Sequence, residues 1–332
     1  MTLPTPSEKV LVTGASGFIG GHLAAALVAH GHRVLGVDVL DPARPVMHVD
    51  YVRCDIREAT VIARCMREFT PDAVLHLAAR TDLDETQDLN GYAANIVGVE
   101  NVVAAIRSSS SVRRAICTSS QLVCRIGYTP RHDQDYAPTT LYGESKVRTE
   151  QIWRRGDGGG TTWCIVRPTT IWGPWMNPHY LRFFRMVRDG TYRHVGHQPI
   201  WKSYGYVANT VAQYGALLDA PASSIAGRVF YLADDPPINL QEWADVFQKA
   251  LGAPDIRRIP VGVARGIAKI GDVVNRLGLT RFPFNSFRLT NVLTESRVDL
   301  SSTRAVCGES PYTVEQGVEE TARWLRAIWS TT

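Results

Sequence analysis

The stretch Val10-Leu11-Val12-Thr13-Gly14-Ala15-Ser16-Gly17-Phe18-Ile19-Gly20 constrains this fold more than any other part of the chain. A β-branched run ends in a glycine-rich turn, and an Ala/Leu-rich helical segment follows at once. Gly14 permits a tight turn out of the strand. Gly17 leaves room for a pyrophosphate, and Gly20 lets the helix pack close to the strand. The first N–H groups of the helix point at the phosphates, and its dipole favours their negative charge. The spacing is GxxGxxG and reads as a dinucleotide site. The plain alternative is a glycine turn between any strand and any helix. The next strand argues against it. Arg33-Val34-Leu35-Gly36-Val37 ends in Asp38, about 20 residues beyond the glycines. A carboxylate there accepts hydrogen bonds from both ribose hydroxyls and repels a 2′-phosphate, which favours NAD over NADP.

Strand-like patterns at 9–13, 33–37, 49–53, 73–77, 113–118 and 162–167 alternate with helical patterns at 18–30, 57–69, 88–108 and 141–155. Such alternation predicts right-handed crossovers and an α/β fold, a Rossmann-type doubly wound parallel sheet. Residues 1–167 form the expected NAD-binding domain. Residues 204–233 return to it as a helix and the strand Val229-Phe230-Tyr231-Leu232. Residues 168–203 and 234–332 make a smaller, mainly helical substrate domain. Residues 260–278 read as an amphipathic helix that covers the pocket, forms an oligomer contact or touches a membrane. Its few cations make the membrane the weakest of these.

Composition sets outer limits. The 332 residues are 45% hydrophobic and 20% charged, which suits a globular chain with a sizeable core. The net charge of +4 comes from dispersed Lys and Arg, so nucleic acid is not an expected partner. The six cysteines form no CxxC pair and read as free thiols in a reducing compartment. The first residues lack the apolar segment of a signal peptide, and no apolar run is long enough to span a bilayer. A cytoplasmic location without a membrane partner is expected.

Ligands of such sheets sit at the carboxyl ends of the strands. Asp55 follows the third strand, and two readings stay open for it: an acceptor for the adenine amino group with Ile56 packed on the ring, or a helix N-cap. After the fourth strand, Leu77, Ala78 and Ala79 let the backbone approach a cofactor, while His76 reads as a core histidine. Asn95 opens the long third helix, where a buried amide would bond the neighbouring strand backbone. The fifth strand runs into Thr118-Ser119-Ser120-Gln121-Leu122-Val123, and Tyr142-Gly143-Glu144-Ser145-Lys146 then opens a helix. Tyr142 and Lys146 are four apart and share a face. An ammonium near a phenol, beside a positively charged nicotinamide, favours the phenolate and lowers its pKa, which suits Tyr142 for taking a proton from a substrate hydroxyl.

With these motifs in place, the chain resembles an extended short-chain dehydrogenase/reductase of the NAD-dependent epimerase/dehydratase family, in its nucleotide-sugar branch. The resemblance rests on Gly14 to Gly20, Asp38, Asp55-Ile56, His76-Leu77-Ala78-Ala79, Asn95, the serine cluster, Tyr142 to Lys146, Arg167-Pro168 and Gly173-Pro174. It extends to Pro311-Tyr312-Thr313-Val314 and Trp324. It implies a catalytic set of Ser120, Tyr142 and Lys146. It implies NAD held by Gly14, Ser16, Gly17, Phe18, Ile19, Asp38, Asp55, Ile56, Leu77, Ala78, Ala79, Asn95, Tyr142, Lys146 and Pro168. It also implies substrate contacts from Ser120, Gln121, Thr170 and Trp201, and a homodimer.

The departures choose among the family's reactions. Its dehydratases place an acid beside the catalytic hydroxyl, because loss of water needs a further proton donor. Here those positions are Gln121 and Leu122. A C4 epimerase of a nucleotide sugar, which needs only Ser120, Tyr142, Lys146 and retained NAD, is the first expectation. A dehydrogenase or ketoreductase of a nucleotide sugar, or of an apolar 3β-hydroxysteroid-like alcohol, is the second. A non-catalytic NAD sensor is a third reading, opposed by the intact catalytic set. Thr170 replaces an Asn common in the nucleotide-sugar members, and Tyr206-Val207-Ala208-Asn209 replaces a Tyr-Val-Asp-Asp segment. Trp172, Trp175, His179, Tyr180, Phe183, Phe184, Tyr192, His194, His197 and Trp201 crowd the second half. They read either as stacking surfaces of a substrate pocket or as a small domain's core. No metal is expected, because the histidines lack carboxylate or Cys partners at ligand spacing.

Overall fold

A computed structural model describes residues 8–85, 87–178, 180–277 and 284–330. The first half alternates as expected: β1 (Lys9–Thr13), α1 (Phe18–Ala29), β2 (Arg33–Asp38), β3 (Val49–Arg53), α2 (Ala59–Phe69), β4 (Ala73–His76), α3 (Ala93–Arg107), β5 (Arg114–Thr118), α4 (Leu141–Gly156) and β6 (Thr162–Pro168). The pattern at 88–108 opens as a 3-10 turn, Leu89–Tyr92, before α3 proper. The second half holds β7 (Thr170–Trp172), α5 (Leu181–Arg188), β8 (His194–Val195), β9 (Trp201–Lys202), β10 (Tyr204–Tyr206), α6 (Val207–Asp219), α7 (Ala222–Ile225), β11 (Val229–Leu232), β12 (Ile238–Asn239), α8 (Leu240–Leu251), β13 (Arg258–Ile259), α9 (Val261–Arg276), α10 (Ser286–Leu293), α11 (Ser301–Cys307) and α12 (Val314–Ser330).

Seven parallel strands form one sheet in the order β3-β2-β1-β4-β5-β6-β11. Val10, Leu11 and Val12 of β1 are fully buried, as are Val74 and Leu75 of β4. Helices cover both faces of such a strand, so its hydrophobic run is continuous rather than alternating. One face packs α2, α3 and α4 around Ile62, Val99, Val102 and Trp153. The other packs α1 and α6 around Leu23, Leu27, Tyr214 and Leu217. Strand order reverses between β1 and β4, and the crevice of such a sheet opens at that switch point. β11 joins the sheet beside β6, with Phe230 opposite Val166.

A third core lies beyond the sheet. Trp172, Phe184, Tyr206, Trp243 and Phe247 are buried there together. Trp172 meets Trp243 and Phe247 edge to face, each at 5.6 Å. Most of the aromatics in the second half are therefore core. The small sheets β7–β10, β9–β12 and β8–β13 frame this layer.

Candidate active site

A cleft of about 1160 Å³ runs over the carboxyl ends of β1, β2, β3, β4, β5 and β6. Gly14, Ser16, Gly17, Phe18 and Ile19 line one end with Asp38, Asp55 and Ile56. Leu77, Ala78 and Ala79 line the middle. Ser120, Gln121, Tyr142, Lys146, Pro168 and Thr170 line the far end.

The glycine turn is as crowded as a phosphate cradle requires. Gly14 has φ +76°, and a Cβ there would lie 2.7 Å from the Ala78 nitrogen. A Cβ on Gly20 would strike the Gly14 carbonyl oxygen. Gly17 is the N-cap of α1 and has no side chain over the first helical N–H groups. Asp38 Oδ2 accepts from the Ser16 N–H at 3.0 Å, and its Oδ1 accepts from the Leu40 N–H at 3.2 Å. Two N–H donors hold the carboxylate at the cleft wall and leave lone pairs for ribose hydroxyls. This donor and acceptor set fits NAD.

Asp55 lines the cleft but is not a helix cap, since α2 begins after Glu58. Its carboxylate is clamped by the Arg57 guanidinium, with Nε 2.9 Å from Oδ2, which lowers its pKa. Asn95 is fully buried and is not part of the cleft wall. Its amide nitrogen donates to the Arg80 carbonyl and the Ser145 hydroxyl, and its oxygen accepts the Arg80 N–H at 2.8 Å. It therefore ties α3 to the end of β4 and to α4, and stands apart from the cofactor positions expected of it.

The reacting end joins β5 to α4. Thr140 caps α4 by accepting the Gly143 N–H at 3.0 Å. Ser120 Oγ accepts the Leu122 N–H at 3.1 Å, which leaves its hydroxyl proton to donate toward the Tyr142 phenol, whose pKa it lowers. A Cβ on Gly143 would lie 2.3 Å from the Leu122 carbonyl oxygen, so the serine turn and the tyrosine helix are in backbone contact. The Lys146 ammonium donates to the Thr118 carbonyl at 2.9 Å.

Burial pushes the Tyr142 phenol well up, opposed by the Ser120 hydroxyl. The Lys146 ammonium is held by the Thr118 carbonyl, and burial lowers Lys146 itself to about 8.

Behind these groups lies a buried network that sequence reasoning missed. Glu150 accepts from the Ser119 hydroxyl at 2.6 Å, the Tyr136 phenol at 2.9 Å and the Arg167 Nε at 2.8 Å. Tyr142, Lys146 and Glu150 recur every four residues on one face of α4, and that periodicity was a usable signal. Tyr92 was also missed. Its ring lies 6.1 Å from that of Tyr142, and its hydroxyl donates to the Asp82 carbonyl. His76 is a core residue, as expected. Its Nδ1 lies 2.8 Å from the Thr13 hydroxyl and its ring stacks on Trp153. Burial, followed by the Lys146 charge, lowers it to about 3.

The substrate side differs in part. Gln121 and Thr170 line the cleft, but Trp201 does not. Trp201 sits on β9 against β12, with the Arg297 guanidinium 5.3 Å over its ring. Arg125, Asn177, Tyr180, Phe287, Arg288 and Asn291 form the mouth instead. Beside the Tyr206–Asn209 segment, where the Tyr-Val-Asp-Asp carboxylate is missing, lies the buried Asp234. It accepts from the Tyr206 N–H at 2.8 Å and from the Asn209 amide at 2.9 Å. His179 lies outside the described residues, and among the described residues no His, Cys, Asp or Glu cluster could hold a metal.

Comparison with known proteins agrees with this architecture. A solved UDP-glucose 4-epimerase from Thermotoga maritima superposes with a TM-score of 0.75 at 19% identity, over 97% of this chain and 99% of that one. The 3 beta-hydroxysteroid dehydrogenase/Delta 5-->4-isomerase of Mycobacterium tuberculosis is 30% identical over 272 residues, 76% of this chain and 71% of the relative. The N-acetyl-alpha-D-glucosaminyl-diphospho-ditrans,octacis-undecaprenol 4-epimerase of Escherichia coli O157:H7 is 24% identical, over 96% of this chain and 95% of the relative. The model of the NAD dependent epimerase/dehydratase family matches residues 10–233. Given that match and the 30% relative, this chain belongs to the NAD dependent epimerase/dehydratase family.

Proposed function

We propose that the protein is an NAD-dependent C4 epimerase of a sugar carried on a diphosphate, acting through a transient 4-keto sugar. The observation that carries this reading is the absence of an acid beside Ser120. Gln121 and Leu122 occupy the adjoining positions. Among the described cleft residues the carboxylates are Asp38, Asp55, Asp82 and Asp84, which follow β2, β3 and β4 rather than β5. Such a centre can move one proton on and off a hydroxyl but has no second donor to expel water.

In this reading Ser120 orients the C4 hydroxyl and Tyr142 takes its proton. Bound NAD supplies the hydride acceptor and donor, and its cationic ring favours the phenolate. Lys146, held by the Thr118 carbonyl, brings a positive charge to the face of α4 that carries Tyr142. Tyr142 returns the proton when the keto group is reduced from its other face. Asp38, the glycine turn, Ala78, Ala79 and Pro168 position the cofactor, and Arg125 and Arg288 offer guanidinium groups to a diphosphate. Residues 1–167 with 204–233 serve as the cofactor domain, and 168–203 with 234–332 as the substrate domain. The active unit is a homodimer in the cytoplasm, which light scattering and cell fractionation test.

The second reading is a dehydrogenase of an apolar alcohol. Thr170 in the cleft and the 30% identity to a hydroxysteroid dehydrogenase favour it. One experiment separates the two. The absorbance of the purified protein is followed on adding UDP- or GDP-sugars, with and without NAD. Turnover without added cofactor and without lasting NADH absorbance supports the epimerase. A stoichiometric NADH rise that depends on added NAD sinks it in favour of the dehydrogenase.

A further inference from the structure

Helix α9 is inside out by the ordinary rule for surface helices. The side packed on the protein carries Ala264, Ala268 and Gly271, all buried. The side facing solvent carries the large apolar residues Val263, Ile267, Ile270 and Val273, followed by Leu277 just past its end. At 100° per residue these five fall within an arc of about 120°. With Phe287 at the head of α10 they make six of the 14 exposed large hydrophobic residues described, within one short segment, at 38 to 64% exposure. Scattered exposed leucines need no explanation, but a contiguous stripe does. Core packing cannot account for it, because the core beneath is served by Val195, Leu289 and the two alanines.

The charges along the stripe say what covers it. Arg265, Lys269 and Arg276 are exposed and fall together on one edge of the apolar arc. The lone acid of α9, Asp272, lies outside the apolar arc, beside Arg276 at the far side of the cationic strip, and its carboxylate accepts the Ser286 N–H at 3.1 Å, which leaves Arg265 and Lys269 as the unopposed cations. Among the described residues Arg265 and Lys269 form no salt bridge. A second copy docked antiparallel on this face would set the cationic strip against itself. An anionic lipid surface complements both halves at once: acyl chains meet the apolar arc and headgroups meet the cations. The neighbouring helix α10, which packs on α9, carries Phe287 and Arg288 of the cleft mouth. A count of cations over residues 260–278 argues against a membrane; their placement argues for one.

We propose that α9, with Phe287, is an interfacial helix that docks the protein on an anionic lipid surface, with the mouth of the cleft beside that surface. No helix among the described residues is long and apolar enough to cross a membrane, so the contact is peripheral. It is independent of which alcohol or sugar is turned over.

The test is co-sedimentation of the full chain with vesicles of phosphatidylcholine alone and of phosphatidylcholine with phosphatidylglycerol. Binding to the anionic vesicles, weakened by salt, is expected. Ile270→Glu with Val273→Glu should weaken it about tenfold or more, and so should Arg265→Gln with Lys269→Gln. These positions are exposed and outside the cleft, so both pairs should keep the wild-type melting temperature and NAD affinity. No binding to anionic vesicles, or binding that survives both pairs of substitutions, overturns the proposal. So does a change in oligomeric state on Ile270→Glu with Val273→Glu that leaves vesicle binding intact, which would assign the face to a second copy.

Discussion

Glu150 and Arg167 form a fully buried, two-pronged ion pair behind the Ser119–Ser120 turn, with both N···O distances 2.8 Å. The attraction offsets the cost of taking both charges out of water only while both are present. Glu150→Gln leaves the guanidinium uncompensated, and a loss of about 3–5 kcal/mol in unfolding free energy is expected. Replacing both residues by Met should recover part of it. Urea denaturation of the three variants checks this, and an unshifted midpoint for Glu150→Gln would refute the account.

Tyr142→Phe removes the phenol and keeps the ring that packs near Tyr92. Turnover should fall at least about a hundredfold, the usual share of a positioned proton donor. NAD affinity should stay nearly unchanged, because the phosphate cradle and Asp38 are untouched. Steady-state kinetics and a cofactor titration read the two quantities separately, and full activity in the variant would rule out the proposed mechanism.

Asp38→Ala removes the carboxylate held by the Ser16 and Leu40 N–H groups. Hydrogen bonds to a charged group are worth about 1.5–3 kcal/mol, so NAD should bind roughly tenfold or more weakly. NADP should gain, since the repulsion of its 2′-phosphate is gone. Fluorescence titrations with both cofactors give the ratio, and an unaltered ratio means that selectivity lies elsewhere.

His76 gives the fold an acid-sensitive limb. Its pKa falls from 6.5 to about 3 in the native state, through burial and then the Lys146 charge. The unfolded chain gains a proton near pH 6.5 while the native chain resists until about 3. Unfolding therefore binds a proton in that window. The stabilisation is full above pH 6.5 and drains away as the pH falls, by about 2 kcal/mol between pH 7 and pH 5. His76→Gln should flatten the pH dependence of the urea midpoint over this range.

The sequence was most legible where function depends on local order. The turn from Gly14 to Gly20, Asp38 at the end of β2 and the Tyr142–Lys146 spacing each lie within one strand, turn or helix. Their positions at the strand ends follow from the alternation alone. Legibility fell where tertiary contact decides. Trp201 and the other aromatics of the second half carry no sign of whether they face a cleft or a core, and most face the core. Asn95 is a cofactor residue only by the resemblance; its position reads as a buried amide on the strand backbone, and its amide is taken up by Arg80 and Ser145. The buried carboxylate of Glu150 was hidden too, since spacing along a helix does not say which partners a side chain finds.

The contact between Gly143 and the Leu122 carbonyl has a mechanical consequence. With no space for even one methyl group between them, the serine turn and the tyrosine helix are already as close as backbone can come, so any side chain at position 143 would wedge the two hydroxyls apart. The mouth of the cleft is lined by side chains, Tyr180 and those of α10 among them, and tolerates exchange more readily. Swapping that mouth onto a relative should transfer the choice of substrate and leave the pace of proton transfer where it was.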